Sequence, residues 1–256
     1  MRRRPWFRLA LRGGAPADER VNRFHPFSLE HLLCLVAWAG LTFGLVRLGR
    51  SATTTGRERQ LRVLLGGGGI LFSVAHQAWW MLPPWGHWLN LPLHLCDFNG
   101  VVAPLAILTR RRWLRALLYF WSFGLSLQGL VEPSLTTGPA TMHFWWFWLS
   151  HDMIMSYAVY DLTVGAFRPT GRDLLTVLAI TNVYFVVMAG FDACTGFNYG
   201  FLGASKPENP TLIDVLGPWP WRLAWIYLLG SATFVLLWLP WAIAASRARP
   251  AAPRYL

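Results

Sequence analysis

Hydrophobic residues are gathered into seven long runs, separated by short polar or arginine-bearing stretches. The runs cover 29–48, 63–82, 91–109, 113–131, 142–166, 173–194 and 222–245. A helix rises about 1.5 Å per residue, so each run is long enough to cross a hydrocarbon core of about 30 Å. The pattern therefore predicts an all-α, polytopic membrane helix bundle with about seven transmembrane helices.

The segments that flank these runs are basic. Residues 1–27 combine many arginines with prolines and glycines, which predicts a flexible or interfacial N-terminal tail. Residues 28–246 are expected to form a single transmembrane bundle, since no internal repeat is seen, and 247–256 are expected to be a basic cytoplasmic tail. No short apolar region with a cleavage site follows the first arginines, so no cleavable signal peptide is expected.

The overall composition agrees with a membrane protein. Hydrophobic residues make up 54% of the chain and charged residues only 14%, whereas soluble proteins usually carry about 25% charged residues. The net charge of +11 could suggest nucleic-acid binding. However, the arginines lie in short runs between apolar segments, which is the pattern that anchors cytoplasmic loops. We therefore expect no nucleic-acid partner.

The distribution of arginine predicts the orientation. The loops at 49–62, 110–115 and 168–172 contain arginines, whereas the loops at 83–90 and 132–141 contain no lysine or arginine. By the positive-inside rule, the N-terminus is expected outside the cell membrane and the C-terminus in the cytoplasm. The basic N-terminal tail argues against this orientation, but the rule is strongest for short loops.

The stretch from 91 to 112 is predicted to be a spanning helix that carries polar residues near its outer end. His94, Cys96, Asp97 and Asn99 lie in its first two turns. Polar groups in hydrocarbon are costly unless they are partnered or wetted. Other spans carry polar residues at similar depths, among them Gln128, His151, Asp152 and Asn182. Together they predict a shared polar pocket that opens toward the outer leaflet.

A thiol in this pocket could act as a nucleophile if a base takes its proton. Residues two apart on a helix point to different faces, so His151 is favoured over His94 as the base for Cys96. Asp97 is three residues from His94 and could hold it. The other two cysteines lack such neighbours and are interpreted as structural. For each residue taken singly a structural role stays open: a buried cysteine can be a small hydrophobe, and a polar side chain can join helices.

The histidines and cysteines do not occur in metal-binding patterns. There is no His-x3-His pair, no HExxH and no CxxC. We therefore expect no metal site and no cofactor.

Several blocks of the sequence carry a resemblance. LPLHLCD at 91–97, YFWSFGLSLQGLVEPSL at 119–135, FWLSHDMIM at 147–155, FDACTGFNYGFLGASKP at 191–207 and LGPWPW at 216–221 resemble successive blocks of the YwaF-type bacterial integral membrane proteins. The chain is similar, more distantly, to eukaryotic transmembrane acyltransferases of ether lysophospholipids.

The resemblance implies roles for particular residues. Cys96 would carry the acyl group and His151 would lie beside it. Asn198, Tyr199 and Lys206 would lie in an outer loop near the mouth of the pocket, where Lys206 could meet a lipid phosphate.

These observations predict a membrane-embedded lipid acyltransferase, or a related acyl hydrolase, whose substrates are membrane lipids. The alternative is a non-catalytic carrier or assembly partner with a polar binding pocket. A carrier is expected to show repeat symmetry and broken helices in matching halves. Neither feature is seen in the sequence, which favours the enzyme. The sequence does not indicate the oligomeric state.

Overall fold

Helices follow the predicted apolar runs in a computed structural model that describes residues 23–84, 86–87, 90–204 and 212–247. They are α1 (Leu29–Thr54), α2 (Glu58–Met81), α3 (Leu95–Thr109), α4 (Arg112–Trp121), α5 (Leu127–Val131), α6 (Met142–Thr163), α7 (Gly171–Thr195) and α8 (Trp221–Arg247). A π-helical stretch, Ser122–Ser126, joins α4 to α5 into one rod. Short 3-10 turns at Tyr199–Phe201 and Leu212–Leu216 lie between α7 and α8. The prediction of an all-α bundle of seven helical rods is confirmed for this part of the chain.

Three of the helices are capped at their N-terminus by a hydroxyl side chain. Ser28, Thr141 and Thr170 each accept a hydrogen bond from a backbone N–H in the first turn of α1, α6 and α7. Helix α7 ends where Gly196 adopts a left-handed conformation with φ of 79°. These residues satisfy backbone groups that the helix itself leaves unpaired.

Four rods are long and apolar enough to cross a membrane, judged by length and composition within the described residues. They are α1, the continuous rod of α4 and α5, α7 and α8, and α3 is a shorter apolar helix. Helices α2 and α6 also belong to the bundle, but they carry several glycines or polar residues that lower their hydropathy.

Helix α3 begins four residues later than the sequence predicted. Residues 91–94 are not helical, because Tyr199 accepts a hydrogen bond from the N–H of Leu91 and Tyr184 donates one to the carbonyl of Leu93. Pro92, between them, has no N–H of its own to contribute to a helix. The 15 residues of α3 give it a length of about 22 Å, shorter than the hydrocarbon core. The N-terminus of α3 is therefore expected to lie below the membrane surface.

Helices α2 and α3 approach closely because two glycines face α3. A Cβ on Gly66 would lie 2.6 Å from Cβ of Leu108, and one on Gly69 would lie 2.8 Å from Cβ of Pro104. Small residues allow such close packing of helices in membranes. The π-helical stretch shows the same feature, since a Cβ on Gly124 would lie 2.8 Å from the ring of Phe234 in α8.

Ion pairs tie together the arginine-bearing end of the bundle. Arg115 donates to both carboxylate oxygens of Asp161, and Arg112 donates to both oxygens of Asp173. Both guanidinium groups also lie over the ring of Phe167, with distances to its centroid of 5.6 Å for Arg112 and 4.9 Å for Arg115. Asp161, which lies far from the predicted pocket, is thus a structural partner of Arg115.

The last residues of the predicted N-terminal tail pack against the bundle. Phe24 is 1% exposed, and its N–H donates to the carbonyl of Thr136. His31 connects this turn to α5, since its Nδ1 accepts from the N–H of Phe27 and its Nε2 donates to the carbonyl of Leu130. The remainder of the tail lies outside the described residues.

Candidate functional site

A cavity of about 1440 Å³ lies between the helices, toward the end that lacks the arginine pairs. It is larger than the range of about 300–1,000 Å³ that is usual for small-molecule pockets. Residues from α2, α3, the α4–α5 rod, α6, α7 and α8 line it, and so do Asn90, Ser134 and Asn198 from the connecting segments. Most of its lining is apolar, and its polar groups come from each of these helices and from the connecting segments.

The cavity brings together eight of the site residues predicted from the sequence. These are His94, Cys96, Asp97, Gln128, His151, Asn182, Asn198 and Tyr199. Lys206, the predicted phosphate contact, lies outside the described residues. The catalytic and binding roles of these residues stay predictions.

Two of the predicted residues do not line the cavity. Asn99 is fully buried, and its amide nitrogen donates to the hydroxyls of Ser122 and Ser126, so it joins α3 to the π-helical stretch. Asp152 is next to His151 in sequence, but successive residues of a helix point about 100° apart, and Asp152 is not among the residues that line the cavity. The sequence alone could not show which of these side chains face the cavity, because that depends on how each helix is rotated about its axis.

Cys96 is the second residue of α3. The N–H groups of Leu95 and Cys96 lie in the first turn and have no carbonyl acceptor among the described residues. Such free N–H groups make a helix N-terminus favourable for negative charge. The N-terminus of α3 therefore contributes a favourable field for negative charge that develops at the thiol.

His151 lies in the middle of α6 and is 7% exposed. Its Nδ1 lies 2.9 Å from the carbonyl oxygen of Phe147, one turn earlier, and its ring stacks on the Phe147 ring at 4.3 Å. A carbonyl can only accept a hydrogen bond, so Nδ1 carries the proton and Nε2 of the neutral ring keeps its lone pair. Gly129 of α5 lies against this edge, since a Cβ there would be 2.8 Å from Nε2.

His94 immediately precedes α3 and lines the same cavity. Its Nδ1 accepts a hydrogen bond from the N–H of Gly200 at 3.3 Å. Asp97 accepts from the backbone N–H of His94 at 2.9 Å, so the carboxylate holds the main chain at the helix start. Asp97 was expected to hold the imidazole of His94. Its carboxylate instead bonds the backbone N–H of His94 and caps the N-terminus of α3.

Three further side chains of the cavity were not among the site residues that the sequence predicted. His76 of α2 accepts a hydrogen bond at Nε2 from the indole N–H of Trp80. The two residues are four apart in the sequence, a spacing that places them on the same face of a helix and could have indicated this contact. Tyr184 and Ser126 carry hydroxyls that also line the cavity. Burial raises the pKa of the Tyr199 phenol, so this group stays neutral while it accepts from Leu91. Within the described residues, no group of three or more His, Cys, Asp or Glu side chains is arranged to hold a metal ion.

Comparisons with known proteins identify the family of the chain. A 76-residue stretch, 29% of this chain, is 36% identical to an uncharacterized protein of Treponema pallidum (strain Nichols). The match spans 32% of that protein, so the chain covers about a third of the length of this relative. No solved structure matches the chain significantly. The model of the TMEM164 family matches residues 26–238, which is most of the sequence, and the protein therefore belongs to this family of transmembrane proteins.

Proposed function

We propose that the protein is a membrane-embedded lipid acyltransferase in which Cys96 is the nucleophile and His151 the base. The observation that carries the proposal is that both residues line one large, mainly apolar cavity, while the carbonyl of Phe147 holds the proton on Nδ1 of His151. A thiol and an imidazole with a free lone pair are the groups that nucleophilic acyl transfer needs. The resemblance to transmembrane acyltransferases of lysophospholipids supports the same chemistry.

The hydrogen bonds of the cavity histidines favour His151 as the base. If His151 takes a proton at Nε2, its bond from Nδ1 to the carbonyl of Phe147 is kept. His94 and His76 accept hydrogen bonds from groups that can only donate, the N–H of Gly200 and the indole of Trp80. An imidazolium has no lone pair, so protonation of either ring would break its bond. Of these three, only His151 gains a proton without losing a partner.

The reaction is proposed to proceed in two balanced steps. In the first, Nε2 of His151 accepts the Cys96 proton while the sulfur attacks an ester carbonyl, and the leaving lysophospholipid oxygen takes that proton as the C–O bond breaks. In the second, a lysophospholipid hydroxyl gives its proton to His151 and attacks the thioester. The C–S bond then breaks, and His151 returns this proton to the sulfur, which restores the thiol and the neutral imidazole. Water in place of this hydroxyl would release a fatty acid, which is the hydrolase reaction.

Membrane phospholipid is the proposed acyl donor, and no cofactor is required. The cavity volume of about 1440 Å³ suits a ligand larger than most soluble metabolites. The apolar lining can hold acyl chains, and Asn198 and Tyr199 lie with the connecting segments, where a headgroup would enter. An ester that is already in the membrane supplies the acyl group without acyl-CoA or ATP.

Reconstitution tests the proposed function. Purified protein in vesicles that contain phospholipid with isotope-labelled acyl chains and an unlabelled lysophospholipid should transfer label to the lysophospholipid without added CoA. Mass spectrometry of the lipids measures the transfer. Release of labelled fatty acid alone would identify a hydrolase. The absence of both products across phospholipid classes would favour a non-catalytic carrier or assembly partner.

Gly129 provides a test of the position of the base. A Cβ at Gly129 would lie 2.8 Å from Nε2 of His151, so Gly129→Ala should displace the ring and lower the transfer rate by about 10²-fold, measured in the same vesicles. Gly44→Ala on α1 is the matched control, because a Cβ there has nothing within 4 Å. Equal transfer rates for both variants would show that Nε2 of His151, at the ring edge beside Gly129, does not take part in the acyl transfer.

We propose that the cavity opens on the extracytoplasmic side, with the N-terminus outside and the C-terminus in the cytoplasm. His87, Asn90 and Ser134, from the connections before α3 and α6, line the cavity, whereas the arginine pairs lie at the other end of the bundle. In a Cys194→Ala background, a cysteine introduced at the exposed Ala140 should react with an impermeant maleimide in intact cells, and one at the exposed Arg111 should not. The reverse labelling pattern would invert the orientation.

A further inference from the structure

The hydrogen bond from Gly200 determines what His94 presents to the cavity. A backbone N–H can only donate, so Nδ1 of His94 must be the unprotonated nitrogen and Nε2 carries the proton. No acceptor for this N–H is found among the described residues, and the ring borders the cavity. His94 and His151 are therefore opposite tautomers in one cavity, with a donor at Nε2 of one ring and an acceptor at Nε2 of the other.

Several contacts hold His94 in this state. Its backbone N–H is bound by Asp97 at 2.9 Å, and its ring packs edge-on against Tyr199 with a centroid distance of 5.1 Å. Gly200 has a φ of 61°, a conformation that favours glycine, and a Cβ there would lie 2.7 Å from the hydroxyl of Tyr184. Tyr184 in turn donates to the carbonyl of Leu93, the residue before His94. Ring and main chain are fixed together, as a preorganised donor requires.

We propose that His94 is a further catalytic residue, whose Nε2–H donates to the carbonyl oxygen of the acyl group while Cys96 attacks the carbonyl carbon. The proposal rests on the proposed function and adds the group that stabilises the oxyanion. When sulfur attacks, the C=O bond becomes a C–O⁻ single bond. The oxyanion then re-forms the C=O bond as the ester C–O bond breaks, and the leaving oxygen takes the proton that His151 holds. His94 keeps its proton throughout.

The position of His94 fits this role better than that of a second base. It is two residues from Cys96, and both residues line the cavity at the first turn of α3, where the N–H groups of Leu95 and Cys96 have no carbonyl acceptor among the described residues. A carbonyl oxygen held there would meet donors from the ring and from the main chain. Removal of a single oxyanion donor typically costs about 10²–10³-fold in rate.

Three substitutions distinguish the two functions of the His94 ring, which are donation from Nε2 to the substrate and acceptance at Nδ1 from the N–H of Gly200. The amide nitrogen of glutamine in His94→Gln can reach the position of Nε2 and donate there. The amide oxygen of asparagine in His94→Asn can replace Nδ1 as the acceptor for Gly200 but provides no donor at Nε2. His94→Phe keeps the ring and removes both functions. The readouts are the single-turnover rate at which Cys96 becomes acylated in labelled phosphatidylethanolamine and phosphatidylcholine vesicles, and the dependence of this rate on substrate concentration.

We expect His94→Phe and His94→Asn to lower the maximal acylation rate by about 10²-fold with half-saturation unchanged, and His94→Gln to recover at least about tenfold of this loss. If His94→Asn keeps the wild-type maximal rate and His94→Gln loses it, His94 serves only to bind the N–H of Gly200, and the proposal is wrong. An effect on half-saturation alone would make it a binding residue, and wild-type behaviour of all three variants would likewise overturn the proposal. If wild-type protein itself never carries an acyl group on Cys96, the proposed function fails, and this outcome is distinct from the other three.

A spectroscopic readout tests the tautomers without turnover. In 15N-histidine-labelled protein in detergent micelles, NMR should show His94 with its proton on Nε2 and His151 with its proton on Nδ1. The His94→Phe and His151→Phe variants assign the two signals. The same tautomer on both rings would contradict the opposite roles.

Discussion

Cys96→Ala is expected to abolish acyl transfer, with a loss of at least about 10³-fold, because no other group can carry the acyl chain at the N-terminus of α3. The side chain is partly buried and packs against a core cluster that includes Ile154, and a thiol is small, so its loss leaves only a small gap. The variant should therefore fold and insert like wild type. Lipid mass spectrometry after vesicle turnover measures the transfer.

The other two cysteines are the matched controls. Cys194 is exposed near the end of α7, and Cys34 packs with Trp38 beside α6, so neither borders the cavity. Cys194→Ala and Cys34→Ala should both keep the wild-type rate. Full activity in Cys96→Ala, or loss in Cys194→Ala alone, would remove Cys96 from the mechanism.

His151→Phe is expected to lower the rate of transfer by about 10²–10⁴-fold, which is the usual contribution of a general base. The phenyl ring can keep the stacking on Phe147, which lies at 4.3 Å from the imidazole, but it cannot accept the thiol proton. Cys96 acylation in a single turnover is the direct measurement. Activity should fall while the protein keeps its helical content by circular dichroism.

His31→Phe provides the contrasting control. His31 is 2% exposed, and both of its ring nitrogens bond to backbone groups, so it joins the N-terminal turn to α5. We expect this variant to be less stable to heat but to keep its transfer rate per folded molecule. If His151→Phe behaved like His31→Phe, His151 would be a structural residue and the proposed base would be wrong.

The number and order of the helical rods could be predicted from the sequence, because a spanning helix needs a long apolar run and few other patterns produce one. The start of α3 could not. Residues 91–94 are apolar enough to continue the helix, but Tyr184 and Tyr199 hold their backbone groups from positions about 90 to 110 residues later in the chain. The cap at His94 is thus set by tertiary contacts.

The candidate site was predictable only in part. Polar residues at similar depths indicated a shared pocket, and most of them do line one cavity. The exceptions depend on the rotation of each helix. Asn99 turns to the π-helical stretch, and Asp152 lies outside the lining of the cavity. The protonation of each histidine also depends on partners that sequence spacing does not reveal, above all Gly200 for His94.

Intact-protein mass spectrometry after incubation with phospholipid vesicles tests the central proposal most directly. Wild-type protein should carry one acyl chain, and peptide mapping should locate it on Cys96. Hydroxylamine at neutral pH should remove it, because it cleaves thioesters readily, and the adduct should be absent from Cys96→Ala. Efficient acyl transfer by wild-type protein with no adduct on Cys96 at any time, including rapid acid quenching, would contradict a thioester mechanism.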